Sequence, residues 1–166
     1  MNTRYAPNLT KATAGIPLLD KDDVEFNIGD VKTFFRTKTD PQSQENSDVF
    51  GVQYAITLVK TAGANEKYIG KTFPLQLYMH SENAFGIVKR FVMAALGFSL
   101  DDEEKFNEKY ADADWSYGEP DKEGNTVPDG SIWNQLKGSR VAATTDIVPN
   151  RQRPDQKNQR YDWRPI

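Results

Sequence analysis

The feature that most constrains this chain is a single change of hydrophobic period. Val24, Phe26 and Ile28, then Val52, Tyr54, Ile56 and Leu58, then Phe73, Leu75, Leu77 and Met79 recur at every second position. That interval lines one face of a β-strand. After Ser81 the interval changes. Ala84, Phe85, Ile87, Val88, Phe91, Val92, Ala95 and Leu96 follow i, i+3, i+4 spacing, which is one face of an α-helix. Alternation returns in 140–148 and 159–166. No strand is apolar on both sides, so each has one wet face, as in antiparallel sheets.

The expected elements are strands over 23–38, 49–60 and 70–79, a helix, and strands over 140–148 and 159–166. Gly29 interrupts the first alternation and reads as a bulge. Pro74 marks an edge position or a bulge. Ser81 is the expected helix N-cap and Gly97 its stop. An acidic helix over 101–110 and a long loop over 111–130 separate the fourth strand from the main helix, and Trp133 with Leu136 reads as a plug for the core. The reading is a mainly β chain with one or two helices. Three strands, one helix and two strands is the order of a five-stranded OB-like barrel with a helix between strands 3 and 4. A generic α+β sandwich with its helix on one face is the competing architecture. Residues 1–22 read as an irregular N-terminal arm, and 23–166 as one domain with an acidic insertion at about 99–130. A length of 166 residues agrees with one domain.

Composition removes whole classes of chemistry. The chain has no cysteine and one histidine. Disulfides, thiolate zinc sites, iron–sulfur clusters and thiol catalysis are therefore excluded, and a histidine-based triad or metal site is disfavoured. The acidic pairs Asp22–Asp23 and Asp101–Asp102 have no converging partners for magnesium. GKT at 70–72 lacks the glycine-rich loop of a phosphate-binding motif. His80 reads as a turn or cap residue. The expectation is a protein that is not an enzyme, with no cofactor and no metal. No apolar run is long enough to span a bilayer and no signal pattern opens the chain, so the expected location is cytoplasmic with no membrane partner.

The formal net charge of −3 conceals segregation. Between Asp101 and Asp129 lie eleven acidic and three basic residues, whereas 130–166 holds seven basic and three acidic. Such segregation suits a protein that meets a polyanion with one part of its surface.

The candidate binding residues follow from alternation after Gly29. Val31, Thr33 and Phe35 point inward in that register, and Lys32, Phe34, Arg36 and Lys38 share the outward face. A ring among cations suits single-stranded nucleic acid: the ring stacks a base and the cations follow phosphates. Which of Phe34 and Phe35 faces outward stays open. Tyr78 faces outward with Thr72 and Gln76. The basic C-terminal third adds Arg140, Arg151, Arg153, Lys157, Arg160, Trp163 and Arg164. In an extended segment Tyr161 and Trp163 fall on one side and Arg160 and Arg164 on the other, one side for the barrel and one for phosphate.

The runs FGVQYAITLVK, GKTFPLQLYMHSENAFGIVKRFVMAALGF and LKGSRVAATTDIV resemble the sheet-to-helix crossing and returning strand of phage-encoded single-stranded DNA-binding proteins with an OB fold. The resemblance covers roughly residues 24–166. It implies a viral protein of the host cytoplasm that coats and protects single strands in bacteriophage DNA replication or recombination, without catalysis. The implied partners are single-stranded DNA and replication or recombination proteins; the oligomeric state stays open, a homo-oligomer being one alternative. The chain ends RYDWRPI, which is basic, whereas the better-known bacterial single-strand binders end in an acidic tail. Two other readings stand beside this one: a structural or protein-interaction module (a virion accessory or a host-protein inhibitor), and non-specific double-stranded DNA binding.

Overall fold

The computed structural model describes residues 16–119, 127–151 and 153–166. Five strands, β1 (Asp22–Thr39), β2 (Asn46–Thr61), β3 (Thr72–Tyr78), β4 (Arg140–Pro149) and β5 (Lys157–Arg164), form one sheet in the order β3-β2-β1-β4-β5. Every pairing is antiparallel. The long β1 serves two partners. Its first residues, Asp22 to Asn27, pair with β4, and almost its whole length pairs with β2.

The register between β1 and β2 breaks between Ile28 and Val31, around Gly29. A Cβ at Gly29 would lie 2.8 Å from the Ala55 carbonyl oxygen, so glycine lets the two backbones approach. A bulge bends its strand and increases its twist. The consequence is visible in the core. Phe26 of β1 meets Phe73 of the edge strand β3 at 6.4 Å and Trp163 of the opposite edge strand β5 at 6.0 Å. Both edges of the sheet therefore curl toward one central ring.

Three α-helices lie among the described residues, against the one or two expected: α1 (Glu82–Ala95), α2 (Glu103–Lys109) and α3 (Ile132–Gln135). Ser81 caps α1, its side chain accepting from the Asn83 N–H at 3.4 Å. Gly97, at φ 87°, ends it: the Phe98 N–H reaches the Met93 carbonyl and the Gly97 N–H the Ala94 carbonyl. That pair of bonds satisfies carbonyls the helix end would otherwise leave bare. Val88, Phe91 and Val92 of α1 enter the core, and Phe91 packs edge-on to Trp163 at 4.9 Å. α3 is a single turn around Trp133, whose carbonyl accepts from the buried Tyr54 hydroxyl at 2.5 Å. A run this short has too few residues to show a helical period in the sequence.

Residues 16–21, the described end of the expected N-terminal arm, carry no strand or helix but pack on the domain. Leu19 is fully buried, and its N–H donates to the Gln159 side chain at 2.5 Å. Residues 1–15 lie outside the described residues. β1 begins at Asp22, whose buried carboxylate accepts from the N–H groups of Ala62 and Asn65 and from the Asn65 side chain. That carboxylate ties the strand to the turn after β2, which is a structural use of the Asp22–Asp23 pair. No single helix among the described residues is long and apolar enough to cross a membrane.

Candidate nucleic-acid interface

The sheet register assigns the outer face. Across β1 and β2, Lys32 lies opposite Gln53, Phe34 opposite Gly51, Arg36 opposite Val49 and Lys38 opposite Ser47. Across β2 and β3, Gln53 lies opposite Gln76 and Gly51 opposite Tyr78. The neighbouring positions Thr33, Val52 and Tyr54 are fully buried on the other face. Lys32, Phe34, Arg36 and Lys38 thus share one side of β1, with Phe34 pointing away from the core and Phe35 half-buried.

Exposure is a different matter. Phe34 is only 7% exposed, although it points away from the core. Tyr78 stands edge-on against it, with ring centres 5.5 Å apart and planes at 89°. Gly51 lies between the two in the ladder and has no side chain to hold them apart. Phe34 is therefore covered, and its expected role as an open stacking ring is corrected. The ring that reaches the surface here is Tyr78, with His80 edge-on to it at 5.7 Å.

Tyr78 is held in place by a polar chain across three strands. Arg36 donates to the Tyr78 hydroxyl at 2.6 Å and to the Gln76 side-chain Oε1 at 3.0 Å. Gln76 donates in turn to Gln53 at 3.1 Å. The Arg36 guanidinium also lies 5.6 Å from the Tyr78 ring centre, within cation–π range. Ring orientation and charge position are thereby set together.

This patch borders two adjoining grooves. One, of about 620 Å³, is lined by Arg36, Lys38, Asp40, Tyr78, His80 and Asn158. Backbone N–H bonds, chiefly from Gln42, hold the Asp40 carboxyl below its ordinary range. The other groove, of about 840 Å³, runs between the β3 and β5 edges and is lined by Gln53, Gln76, Tyr78, Asn158, Arg160 and Asp162, with Arg160 paired to Asp162 at 3.7 Å. Tyr78 and Asn158 border both. The start of β5 therefore faces the outer surface of β2 and β3 across a continuous channel. Lys157 precedes Asn158, and the turn before it exposes Arg151 and Arg153.

Arg140 and Arg164 lie outside this channel, and Trp163 borders its second groove only from the core side. Trp163 is 6% exposed and stacks on Tyr161 at 4.7 Å inside the core. Alternation had separated Tyr161 and Trp163 from the arginines; the apolar side is the inward one, so Trp163 is a core residue. Arg140 pairs with Glu25 at 3.4 Å. Arg164 pairs with Asp23 at 3.3 Å and donates to Thr144 at 2.6 Å. Both arginines sit at the opposite end of β1 from Arg36, each beside a carboxylate. The Thr144 hydrogen bond, with the Arg164 charge, holds the Asp23 carboxyl below its usual range.

Gln53, His80 and Asn158 line the channel and were not among the expected binding residues. Gln53 is the polar position between Val52 and Tyr54, and that outward placement was available from the alternation. His80 and Asn158 enter through tertiary proximity alone. Among the described residues no group of three or more metal-ligating side chains converges. No family model, no curated protein and no solved structure matches the chain.

Proposed function

We propose that the chain is a sequence-tolerant single-stranded DNA-binding protein built on an OB-type barrel. Support for the barrel comes from the strand order, in which only the β3–β5 contact is missing from a closed ring, and from the two edges meeting on Phe26. Support for the function comes chiefly from one arrangement. Tyr78 lies at the surface with the Arg36 guanidinium fixed beside it, facing Asn158 and Arg160 across the channel. A base stacks on the accessible ring while Arg36, Lys38, Lys157 and, in exchange for its 3.7 Å pair with Asp162, Arg160 track the backbone. Lys32, Arg151 and Arg153 extend the cationic path at its ends. The proposed role is to coat single strands during replication or recombination.

The test is fluorescence anisotropy of a labelled oligo-dT strand titrated with the protein at several salt concentrations. Neutralising four phosphates gives a log–log salt slope of about −3 for a single strand. Absence of a complex at low salt overturns the proposal. A duplex of equal length, run in parallel, separates stacking from phosphate contact alone: equal affinity for both would make this a double-stranded binder.

A further inference from the structure

His80 lies in the channel, and stacking on Tyr78 together with the cations leaves it unused. Its place between β3 and α1 suits a helix cap, but Ser81 fills that role. The His80 ring is exposed and borders the same groove as Arg36, Lys38 and Tyr78. Among the described residues no hydrogen bond or ion pair holds it. Two rings hold it instead. Tyr78 stands edge-on at 5.7 Å with planes at 84°, and Phe50 stands edge-on at 6.1 Å with planes at 63°. Phe50 is half-buried on β2, and its carbonyl accepts from the Met79 N–H at 2.8 Å, so the sheet itself carries this brace. A side chain that fills no core and has no polar partner, yet is fixed between two rings, is preorganised for a ligand.

The angle between the rings selects that ligand. Unpaired bases stack on histidine as well as on tyrosine. Bases lying on planes at 84° to one another cannot stack on each other. A single strand can splay two neighbours in this way, whereas a duplex keeps them parallel and paired. Tyr78 borders both grooves and His80 only the one that holds Lys38. The strand therefore turns at Tyr78, and the next base lies toward Lys38.

We infer that His80 is a second stacking ring, which with Tyr78 takes two successive unstacked nucleotides, and that this corner, rather than the surrounding cations, excludes a duplex. The inference rests on the single-stranded DNA reading above. Its test is a double-variant cycle on the full chain, with labelled oligo-dT and a duplex of equal length as probes. His80→Ala weakens oligo-dT binding about ten-fold, toward the low end of what one stacked base contributes, and leaves duplex binding and the melting temperature unchanged. His80→Phe keeps a ring and stays close to wild type. His80→Ala combined with Tyr78→Ala loses the product of the two single losses, because each ring holds its own base. Phe50 still braces His80 when Tyr78 is truncated, so the cycle stays interpretable. The log–log salt slope is the same in His80→Ala as in wild type, since a stacking ring neutralises no phosphate. The inference is overturned if His80→Ala binds oligo-dT normally, or if the combined variant binds like Tyr78→Ala alone, which would make His80 a brace for Tyr78. It is also overturned if the slope of His80→Ala becomes shallower, if His80→Phe is as weak as His80→Ala, or if duplex binding falls equally. All of these outcomes leave wild-type binding of oligo-dT intact, so they are distinguishable from failure of the DNA-binding reading, in which wild type forms no complex and both fall together.

Discussion

Replacing Phe34 and Tyr78 separately, each by alanine, distinguishes a covered ring from a stacking ring. Phe34 is 7% exposed, so truncating it removes almost a whole buried phenyl. A Phe side chain buries roughly 150–250 Å², and at about 25 cal/mol per Å² the loss is about 4 kcal/mol. Tyr78 lies directly over the gap and settles into it, which lowers the cost to about 3 kcal/mol. For a chain of this length that is a fall in Tm of about 6–12 °C. Tyr78→Ala removes the surface ring and frees Arg36 from its 2.6 Å bond. It weakens oligo-dT binding by about 1–3 kcal/mol, the value of one stacked base. Tyr78→Phe keeps the ring and stays close to wild-type affinity. The assays are thermal melts and oligo-dT anisotropy at low salt, with binding measured below every variant's melting range. If Phe34→Ala weakens binding as much as Tyr78→Ala while Tm is unchanged, Phe34 meets the bases itself and the covering geometry is wrong. If Tyr78→Ala binds normally, stacking at this site is refuted.

Gly51→Ala places a Cβ 1.9 Å from the Leu77 carbonyl oxygen, a backbone atom that cannot move without shifting β3. It destabilises by about 3 kcal/mol or more, read as a lower urea midpoint, and an unchanged midpoint contradicts the close approach of β2 and β3. Asp22→Ala leaves the Ala62 and Asn65 donors without their buried acceptor and costs about 3 kcal/mol; a melt within a degree of wild type would show that water replaces the carboxylate. Burial pushes the Tyr161 phenol up to about 12, whereas an unfolded tyrosine ionises near ~10. The folded state therefore holds its proton more tightly, so this stabilisation is complete below about pH 10 and is lost as pH rises from there toward 12. Melts between about pH 9 and 11.5, which enter that window from below, should fall less steeply in Tyr161→Phe than in wild type; identical slopes would place the phenol in solvent.

Local periodicity carried the assignment of faces a long way. It placed Lys32, Phe34, Arg36 and Lys38 on one side of β1, put the bulge at Gly29, and chose Ser81 and Gly97 as the ends of α1. Each of those depends on residues within a few positions of one another. Exposure depends on partners far along the chain. Phe34 is covered because the ladder brings Gly51 beside it and Tyr78 beyond, and no local pattern reports that register. Arg140 and Arg164 looked free in a basic tail, yet Glu25 and Asp23 wait for them on the first strand. Trp163 shows the remaining ambiguity. Alternation separated the ring from the arginines correctly, but only the meeting of both sheet edges on Phe26 decides which side is inside.

The geometry of α1 explains why a net negative chain can still present a cationic channel. Asn83, Ile87 and Arg90 border the two grooves around Tyr78. Phe85, Val88, Lys89 and Val92 border a separate cavity of about 510 Å³ against α2. At 100° per residue these sets lie on opposite flanks of the helix. An α-helix with its side chains is about 10–12 Å across, which exceeds the Debye length of about 8 Å at physiological ionic strength. The α2 carboxylates are therefore largely screened from phosphates lying along Arg36 and Lys38. The total charge of the chain is then the wrong quantity for judging the proposed partner, because a strand laid in the channel would meet the charge on its own side of α1.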